Sequence, residues 1–190
     1  TTSRAMIGLV LDPMGTIHQT KGNFNNHIGL PLTLLSTPTN TDALVLEMGM
    51  NHSGEINLLQ NIGTPTIRII TNVGIAHLEG LGSIEAIAAA KAELFDGANS
   101  GDICCINMDD EYVSKMTIPS GAHVIRYGSN EDCDVQLLAT QVDPQTLDTH
   151  FRVRVANKTA DGMVPSPGIH MAHNAIGAMS VGWSLGLSLE

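Results

Sequence analysis

The sequence predicts an α/β fold: a doubly wound, mostly parallel sheet flanked by helices, with a small antiparallel sheet near the C-terminal part. The first observation is that short apolar runs ending in a polar residue alternate with helical segments as far as Asp110, which is typical of parallel sheets. The second is a change after Cys133 to two-residue alternation, as in FRVRV (151–155), which is typical of antiparallel strands with one solvated face.

The chain begins with a predicted helix over 2–11, because its apolar residues recur at helical spacing, and the DPMG turn at 12–15 ends it. A short strand is predicted at 16–20. A polar, glycine-bounded loop at 22–26 follows, and the next helix is predicted to begin near Pro31.

The middle of the chain contains the clearest strand and helix signals. ALVLEM (43–48) is a continuous apolar run interrupted by Glu47, which predicts a fully buried strand. Ser83 is a good N-cap for an alanine-rich helix that ends before Gly97. The other predicted elements are helices at 55–62 and 171–185, parallel strands at 66–71 and 102–107, and antiparallel strands at 135–140 and 149–156.

Composition narrows the classes of protein that remain possible. Of 190 residues 43% are apolar, which excludes intrinsic disorder. The net charge of −10 and the lack of any Lys/Arg cluster argue against binding to nucleic acid or an anionic membrane. The three cysteines form no disulfide or zinc pattern, and the sequence shows neither a signal peptide nor a membrane span. We therefore expect a cytoplasmic protein without membrane insertion, and the oligomeric state stays open.

Polar side chains follow three of the predicted parallel strands. Because the carboxyl ends of such strands meet at one rim, where ligands bind, these side chains are candidates for a shared site for Mg²⁺ and phosphate chemistry. Taken singly, each is equally well a polar strand terminus or a loop residue. The candidates are Glu47, Asn72 with the following His77, and Asn107 with Asp109 and Asp110.

Other polar residues have a plain structural interpretation beside a functional one. Lys91 lies among alanines in its helix, and spacing alone favours a solvated surface lysine. Asn23, Asn25 and Asn26 could bind a polar ligand, although Asx turns are the favoured interpretation. For Asn174, at the start of the last helix, capping competes with ligand contact.

Read together, the motifs resemble the central ATPase domain of the Mur ligase family, which builds the peptide of peptidoglycan. The similar segments occur in the same order and spacing over nearly the whole chain. They are GNFNNHIGLPLT (22–33), VLEMGMNHSGEI (45–56), TNVGIAHLEGLGS (71–83), AAAKAELF (88–95), INMDD (106–110) and GIHMAHNAIGA (168–178).

The resemblance implies an ATP-dependent carboxylate–amine ligase that uses Mg²⁺ and proceeds through an acyl phosphate. Glu47 and His77 match the family's Mg²⁺ ligands, and Thr1 matches its Mg²⁺-binding threonine within one residue. Lys91 matches a lysine that becomes carbamylated and helps hold a second Mg²⁺. Glu47, His77 and Lys91 are thus the implied catalytic residues.

The resemblance also assigns binding roles. Asn174 matches an adenine-contacting asparagine, and Asn107 with Asp109 is placed near the nucleotide. The candidate substrate-binding residues are Asn23, Asn25 and Asn26. The implied substrates of a full-length parent are UDP-N-acetylmuramoyl-tripeptide and D-alanyl-D-alanine.

Two departures from the family pattern shape the expectation. The phosphate-binding loop GxxGK(S/T) does not occur in the sequence, and the flanking UDP-binding and C-terminal domains are not expected within 190 residues. We therefore expect a central-domain fragment that begins just after the loop and is inactive alone. The alternatives are another Mur-superfamily ligase, a folylpolyglutamate synthase, or a non-catalytic binding domain without the loop.

Overall fold

A computed structural model describes residues 1–74 and 78–188, and it confirms the α/β class. The helices are α1 (Thr2–Leu11), α2 (Gly29–Leu35), α3 (Glu55–Gly63), α4 (Leu78–Leu81), α5 (Ile84–Asp96) and α6 (Ile169–Ser184). The strands are β1 (Ile17–Gln19), β2 (Ala43–Val45), β3 (Ile67–Ile70), β4 (Ile103–Asn107), β5 (His123–Gly128), β6 (Val135–Val142), β7 (Thr149–Val155) and β8 (Lys158–Val164).

The strands form two hydrogen-bonded groups. β1 and β2 pair in parallel, with Ile17 opposite Ala43. The other six strands form one sheet in chain order, parallel from β3 to β6 and antiparallel from β6 to β8. The predicted antiparallel part is therefore present, but it continues the parallel sheet through β6 and is not a separate sheet.

Helices cover both faces of these strands and create two apolar clusters. One cluster contains Ile176 of α6 and lies with α1 on one face, and the other contains Ile87 of α5 and lies with α2 and α3 on the opposite face. Cys104 and Cys105, neighbours on β4, belong to different clusters because successive strand residues point to opposite faces. The doubly wound arrangement is thus confirmed.

A groove separates β2 from β3. It has a volume of about 630 Å³, and its two walls are the segments 42–48 and 63–72. Leu11 of α1 and Val181 of α6 line it from one face of the sheet, while Leu94 of α5 lines it from the other. The groove therefore lies within the sheet layer, between helices on both sides.

Several elements differ from the sequence prediction, among them β2, α2, β5 and β8. β2 ends at Val45, and it is only half-buried because the groove borders its free edge; the prediction of a fully buried strand over 43–48 was wrong. α2 begins at Gly29, two residues before Pro31. β5 and β8 were missed, since polar and charged residues such as Arg126 and Lys158 interrupt their apolar patterns.

Candidate functional site

The carboxylate of Glu47 lies just beyond the C-terminal end of β2, beside the first turn of α1. Its Oε1 accepts a hydrogen bond from Thr1 Oγ1 at 3.2 Å, and its Oε2 accepts one from Arg4 Nη1 at 3.1 Å. Thr20 Oγ1 accepts from the Glu47 backbone N–H at 2.9 Å. Thr1 and Arg4 are three residues apart and so share one helix face. Glu47 is thus held at a helix N-terminus, where the helix dipole favours a negative charge.

Lys91 links α5 to the end of β3. Its Nζ donates to the backbone oxygen of Asn72 at 2.6 Å. Burial lowers the pKa of Lys91 below its ordinary value, and the negative charge of Asp110 only partly opposes that shift. The amine is therefore more easily neutral than that of the solvated lysine that spacing alone favours.

The polar residues after β4 tie the neighbouring strand ends together. Asn107 Nδ2 donates to the backbone oxygen of Thr71 at 2.7 Å, and Asn107 Oδ1 accepts from the Asp109 N–H at 3.0 Å. Asp110 Oδ2 accepts from the Val73 N–H at 2.8 Å. Asn107 and Asp110 therefore organise the rim through their own hydrogen bonds, which is a structural role.

Asp109 and Asn174 lie where the starts of α1 and α6 meet the loop after β5. Both Asp109 oxygens accept from the Ser129 N–H at 2.9 Å, and His173 Nδ1 lies 3.3 Å from Asp109 Oδ2. Ser3 Oγ donates to Asn174 Oδ1 at 3.0 Å. Asn174 lies in the second turn of α6, so it does not cap that helix.

The asparagine loop before α2 has a mixed role. Asn26 Oδ1 accepts from the N–H groups of Ile28 and Gly29 at 3.1 and 2.9 Å, so Asn26 forms an Asx turn that leads into α2, as the turn interpretation predicts. The Asn25 backbone oxygen accepts from the Gly49 N–H at 2.8 Å, which holds the loop against the segment after Glu47. Asn23 is exposed.

The groove between β2 and β3 collects several of the predicted site residues at its carboxyl end. Thr1, Glu47, Asn72 and Lys91 all line it. The sequence therefore identified residues that the fold brings to one place, although they lie before α1, after β2, after β3 and within α5. The sequence analysis missed Arg4 as a residue of this site. The available signal was its spacing of three residues from Thr1, which places both side chains on one face of the predicted helix.

His77 lies outside the described residues, so its predicted pairing with Glu47 stays a prediction. Over 1–74 and 78–188, no group of three or more His, Cys, Asp and Glu side chains is close enough to hold a metal ion. No helix in the same part of the chain is long and apolar enough to cross a bilayer.

The chain is an α/β domain with a mostly parallel sheet, and its polar side chains gather at the carboxyl rim, where ligands bind in such folds. The chain belongs to the Mur ligase family: the profile described as "Mur ligase middle domain" matches residues 1–182. The family resemblance inferred from the motifs is thereby confirmed.

Curated relatives point to one branch of this family. The chain is 37% identical over 190 residues to the "UDP-N-acetylmuramoyl-tripeptide--D-alanyl-D-alanine ligase" of Bacillus subtilis (strain 168), covering all of this chain and 40% of that protein. It is 31% identical to the enzyme of the same name from Escherichia coli (strain K12), covering 100% of this chain and 42% of that protein. The chain thus spans about two fifths of the length of these relatives.

Solved structures agree with the sequence relatives. A crystal structure of MurF from Acinetobacter baumannii matches the whole chain with a TM-score of 0.91 and 27% identity, covering 41% of that protein. MurF from Thermotoga maritima in complex with ADP matches the whole chain with a TM-score of 0.86 and 25% identity, covering 44% of that protein.

Proposed function

We propose that this chain is the middle, ATP-binding part of a ligase that joins D-alanyl-D-alanine to UDP-N-acetylmuramoyl-tripeptide. The observation that carries the proposal is the identity of 31–37% over the full chain to ligases of that name. The convergence of Thr1, Glu47 and Lys91 at one end of the groove supports it. In this reaction ATP phosphorylates the tripeptide carboxylate, and the amine of the dipeptide then displaces phosphate.

Such phosphoryl chemistry needs charge neutralisation and positioning rather than a strong protein nucleophile. Thr1 Oγ1 and Glu47 Oε1 are hard oxygen donors 3.2 Å apart, and neighbouring oxygens of an octahedral Mg²⁺ site lie about 3 Å apart. Thr1 and Glu47 therefore fit as Mg²⁺ ligands, with His77 as a further candidate. The chemistry that Mg²⁺ would supply when bound there is neutralisation of the phosphate charge during transfer. Arg4 engages the other Glu47 oxygen and holds the carboxylate in place.

Lys91 has the properties that carbamylation requires. Its Nζ must be neutral to form a bond to the carbon of CO₂, with one proton released to water, and burial favours that neutral form. The product is an anion where the free amine would be a cation, so modification reverses the sign of the interaction with Mg²⁺. We propose that carbamylated Lys91 completes the site from α5.

The test uses full-length parent enzyme with phosphate release as the readout. We expect Lys91→Ala to reduce turnover at least about a hundredfold, the usual loss when one group that stabilises transition-state charge is removed. Acetate or formate should restore part of the activity by supplying the missing carboxylate. The matched control is Lys115→Ala, since Lys115 is exposed and forms an ion pair with Glu111, which is exposed as well; it should leave turnover unchanged.

Turnover of Lys91→Ala close to that of the parent, at saturating Mg²⁺ and bicarbonate, would contradict the assignment of Lys91. The substrate assignment has its own test. Phosphate release should require both UDP-N-acetylmuramoyl-tripeptide and D-alanyl-D-alanine, and stimulation by single amino acids instead would indicate a different Mur ligase.

A further inference from the structure

The ion pair between Arg4 and Glu47 brings a positive charge into the proposed metal site. Arg4 Nη1 lies 3.1 Å from Glu47 Oε2, and the two side chains are only 15% and 20% exposed. Both residues line the groove between β2 and β3, together with Thr1 and Lys91. Because the pair is largely removed from water, salt screens its charges less than those of an exposed pair. The charge of Arg4 therefore acts on any ion that binds at Glu47.

The pairing leaves one oxygen of the carboxylate available to a ligand. Arg4 contacts Glu47 Oε2, whereas Thr1 Oγ1 lies 3.2 Å from Glu47 Oε1. The two side chains share a single hydrogen bond, and not the bidentate fork of the strongest arginine–carboxylate pairs. Glu47 thus keeps one oxygen for a metal ion, while Arg4 offsets the negative charge of the same carboxylate.

The loop before α2 holds both members of the pair. Arg4 Nη1 also donates to the backbone oxygen of Gly22 at 3.4 Å. Two residues earlier in the same loop, Thr20 Oγ1 accepts from the Glu47 backbone N–H at 2.9 Å. The guanidinium and the carboxylate are therefore positioned by contacts within the protein, and the positive charge is in place before a ligand binds.

A fixed positive charge has opposite effects on a free divalent ion and on a metal–nucleotide complex. The free ion is positive and is repelled, whereas the complex of that ion with ATP has a net negative charge and is attracted. For unit charges about 4 Å apart in bulk water, the Coulomb energy already corresponds to about fivefold in an equilibrium constant. The energy is larger near a protein surface, where the effective dielectric constant is lower. One fixed cation is therefore enough to separate the two affinities.

We propose that Arg4 is a specificity-determining residue that makes the site at Glu47 select a divalent ion bound to ATP over the free ion. Arg4 lowers the affinity for the free ion and raises the affinity for the complex. The metal then enters together with the phosphates, and free Mg²⁺ does not fill the site ahead of the nucleotide. This inference rests on the proposed function, because it takes Glu47 as a Mg²⁺ ligand.

The test measures Mn²⁺ binding to the full-length parent by electron paramagnetic resonance, since Mn²⁺ prefers the same oxygen ligands as Mg²⁺. Binding is measured for Mn²⁺ alone and for Mn²⁺ with the non-hydrolysable analogue β,γ-imido-ATP, and Glu47→Gln defines the background from other sites. Arg4→Gln removes the charge but keeps a hydrogen-bond donor. We expect it to bind free Mn²⁺ at least about fivefold more tightly and the Mn²⁺–analogue complex at least about fivefold more weakly.

Two further variants at the same position separate the charge from the hydrogen bond. Arg4→Met removes both, and it should shift the two affinities in the same directions as Arg4→Gln. Arg4→Lys keeps the charge, so both affinities should stay within about twofold of the parent. The matched control is Arg152→Gln, because Arg152 pairs with Asp161 at 2.7 Å but both side chains are more than half exposed. It should change neither affinity.

Opposite shifts of the two affinities distinguish a charge effect from structural damage, which would weaken both. The proposal is overturned if Arg4→Gln and Arg4→Met weaken both forms of binding or leave both within about twofold of the parent. If Glu47→Gln binds the Mn²⁺–analogue complex as tightly as the parent, the proposed Mg²⁺ site itself is wrong. A loss of binding in Glu47→Gln without opposite shifts at Arg4 overturns only the role of Arg4.

Discussion

The buried ion pair between Arg68 and Asp102 provides the sharpest stability prediction. Arg68 Nη1 donates to Asp102 Oδ2 at 2.7 Å, and Arg68 Nη2 donates to the Gly97 backbone oxygen at 2.8 Å. The side chains are 1% and 13% exposed, respectively. Asp102 also accepts from the Asn99 N–H at 2.7 Å. The pair thus connects β3, β4 and the end of α5 next to the groove.

Asp102→Ala would leave the Arg68 guanidinium buried with one hydrogen bond to Gly97. Removing one partner of a buried pair costs about 3–5 kcal/mol, and the partial exposure of Asp102 favours the lower end, about 3 kcal/mol. For a chain of this size that loss corresponds to a decrease in Tm of roughly 6–12 °C. Urea unfolding monitored by circular dichroism measures the free energy of unfolding directly.

The matched control is Asp161→Ala, because Asp161 pairs with Arg152 in a similar geometry at 2.7 Å but both side chains are more than half exposed. It should cost no more than about 1 kcal/mol. The double variant Arg68→Met/Asp102→Leu should recover most of the loss, since it leaves no unpaired buried charge. Equal costs for Asp102→Ala and Asp161→Ala would refute the argument.

The same pair predicts a dependence of stability on pH. Burial opposes ionisation of Asp102, but the Asn99 N–H and the Arg68 guanidinium outweigh it and hold the pKa of Asp102 below its ordinary value of 3.8. A carboxyl group with a lowered folded-state pKa adds stability above the unfolded-state pKa. That stability is lost as the pH falls below about 4 and through the folded-state pKa. Asp102→Ala should therefore have a smaller effect at pH 3 than at pH 7.

Two further predictions concern residues singled out in the sequence. Asn26→Ala should lower the free energy of unfolding by about 1 kcal/mol, because it removes the two hydrogen bonds of the Asx turn that leads into α2. Asn23→Ala, at an exposed position, should change it by less than about 0.5 kcal/mol, and equal effects would contradict the role of the Asx turn. Burial raises the pKa of Cys104 and Cys133 to about 11 and that of Cys105 to about 12. In native protein at pH 8, all three thiols should therefore react with Ellman's reagent far more slowly than after unfolding. Rapid labelling of the native protein would show that the fold opens at these cysteines.

The sequence was most informative where local signals and burial agree. α5 has both a serine cap and a run of alanines, and Ser83 Oγ accepts from the Ala86 N–H as the pattern predicts. β3 and β4 lie within the predicted apolar runs because both are covered on their two faces. The prediction missed β5 and β8 because both strands carry polar residues at exposed positions. The sequence alone does not show which positions of a strand are exposed.

The sequence by itself determined the α/β class, the polar residues of the rim and the family. These three conclusions depend on short segments and on their order along the chain, and both can be read directly from the sequence. Tertiary structure alone decided that Arg4 binds Glu47, that Lys91 donates to Asn72, and that a groove separates β2 from β3. These contacts join residues 19 to 43 positions apart, and the groove depends on strand edges that do not pair. Neither property has a periodic signal in the sequence, because both arise only when the helices pack the strands into a layer.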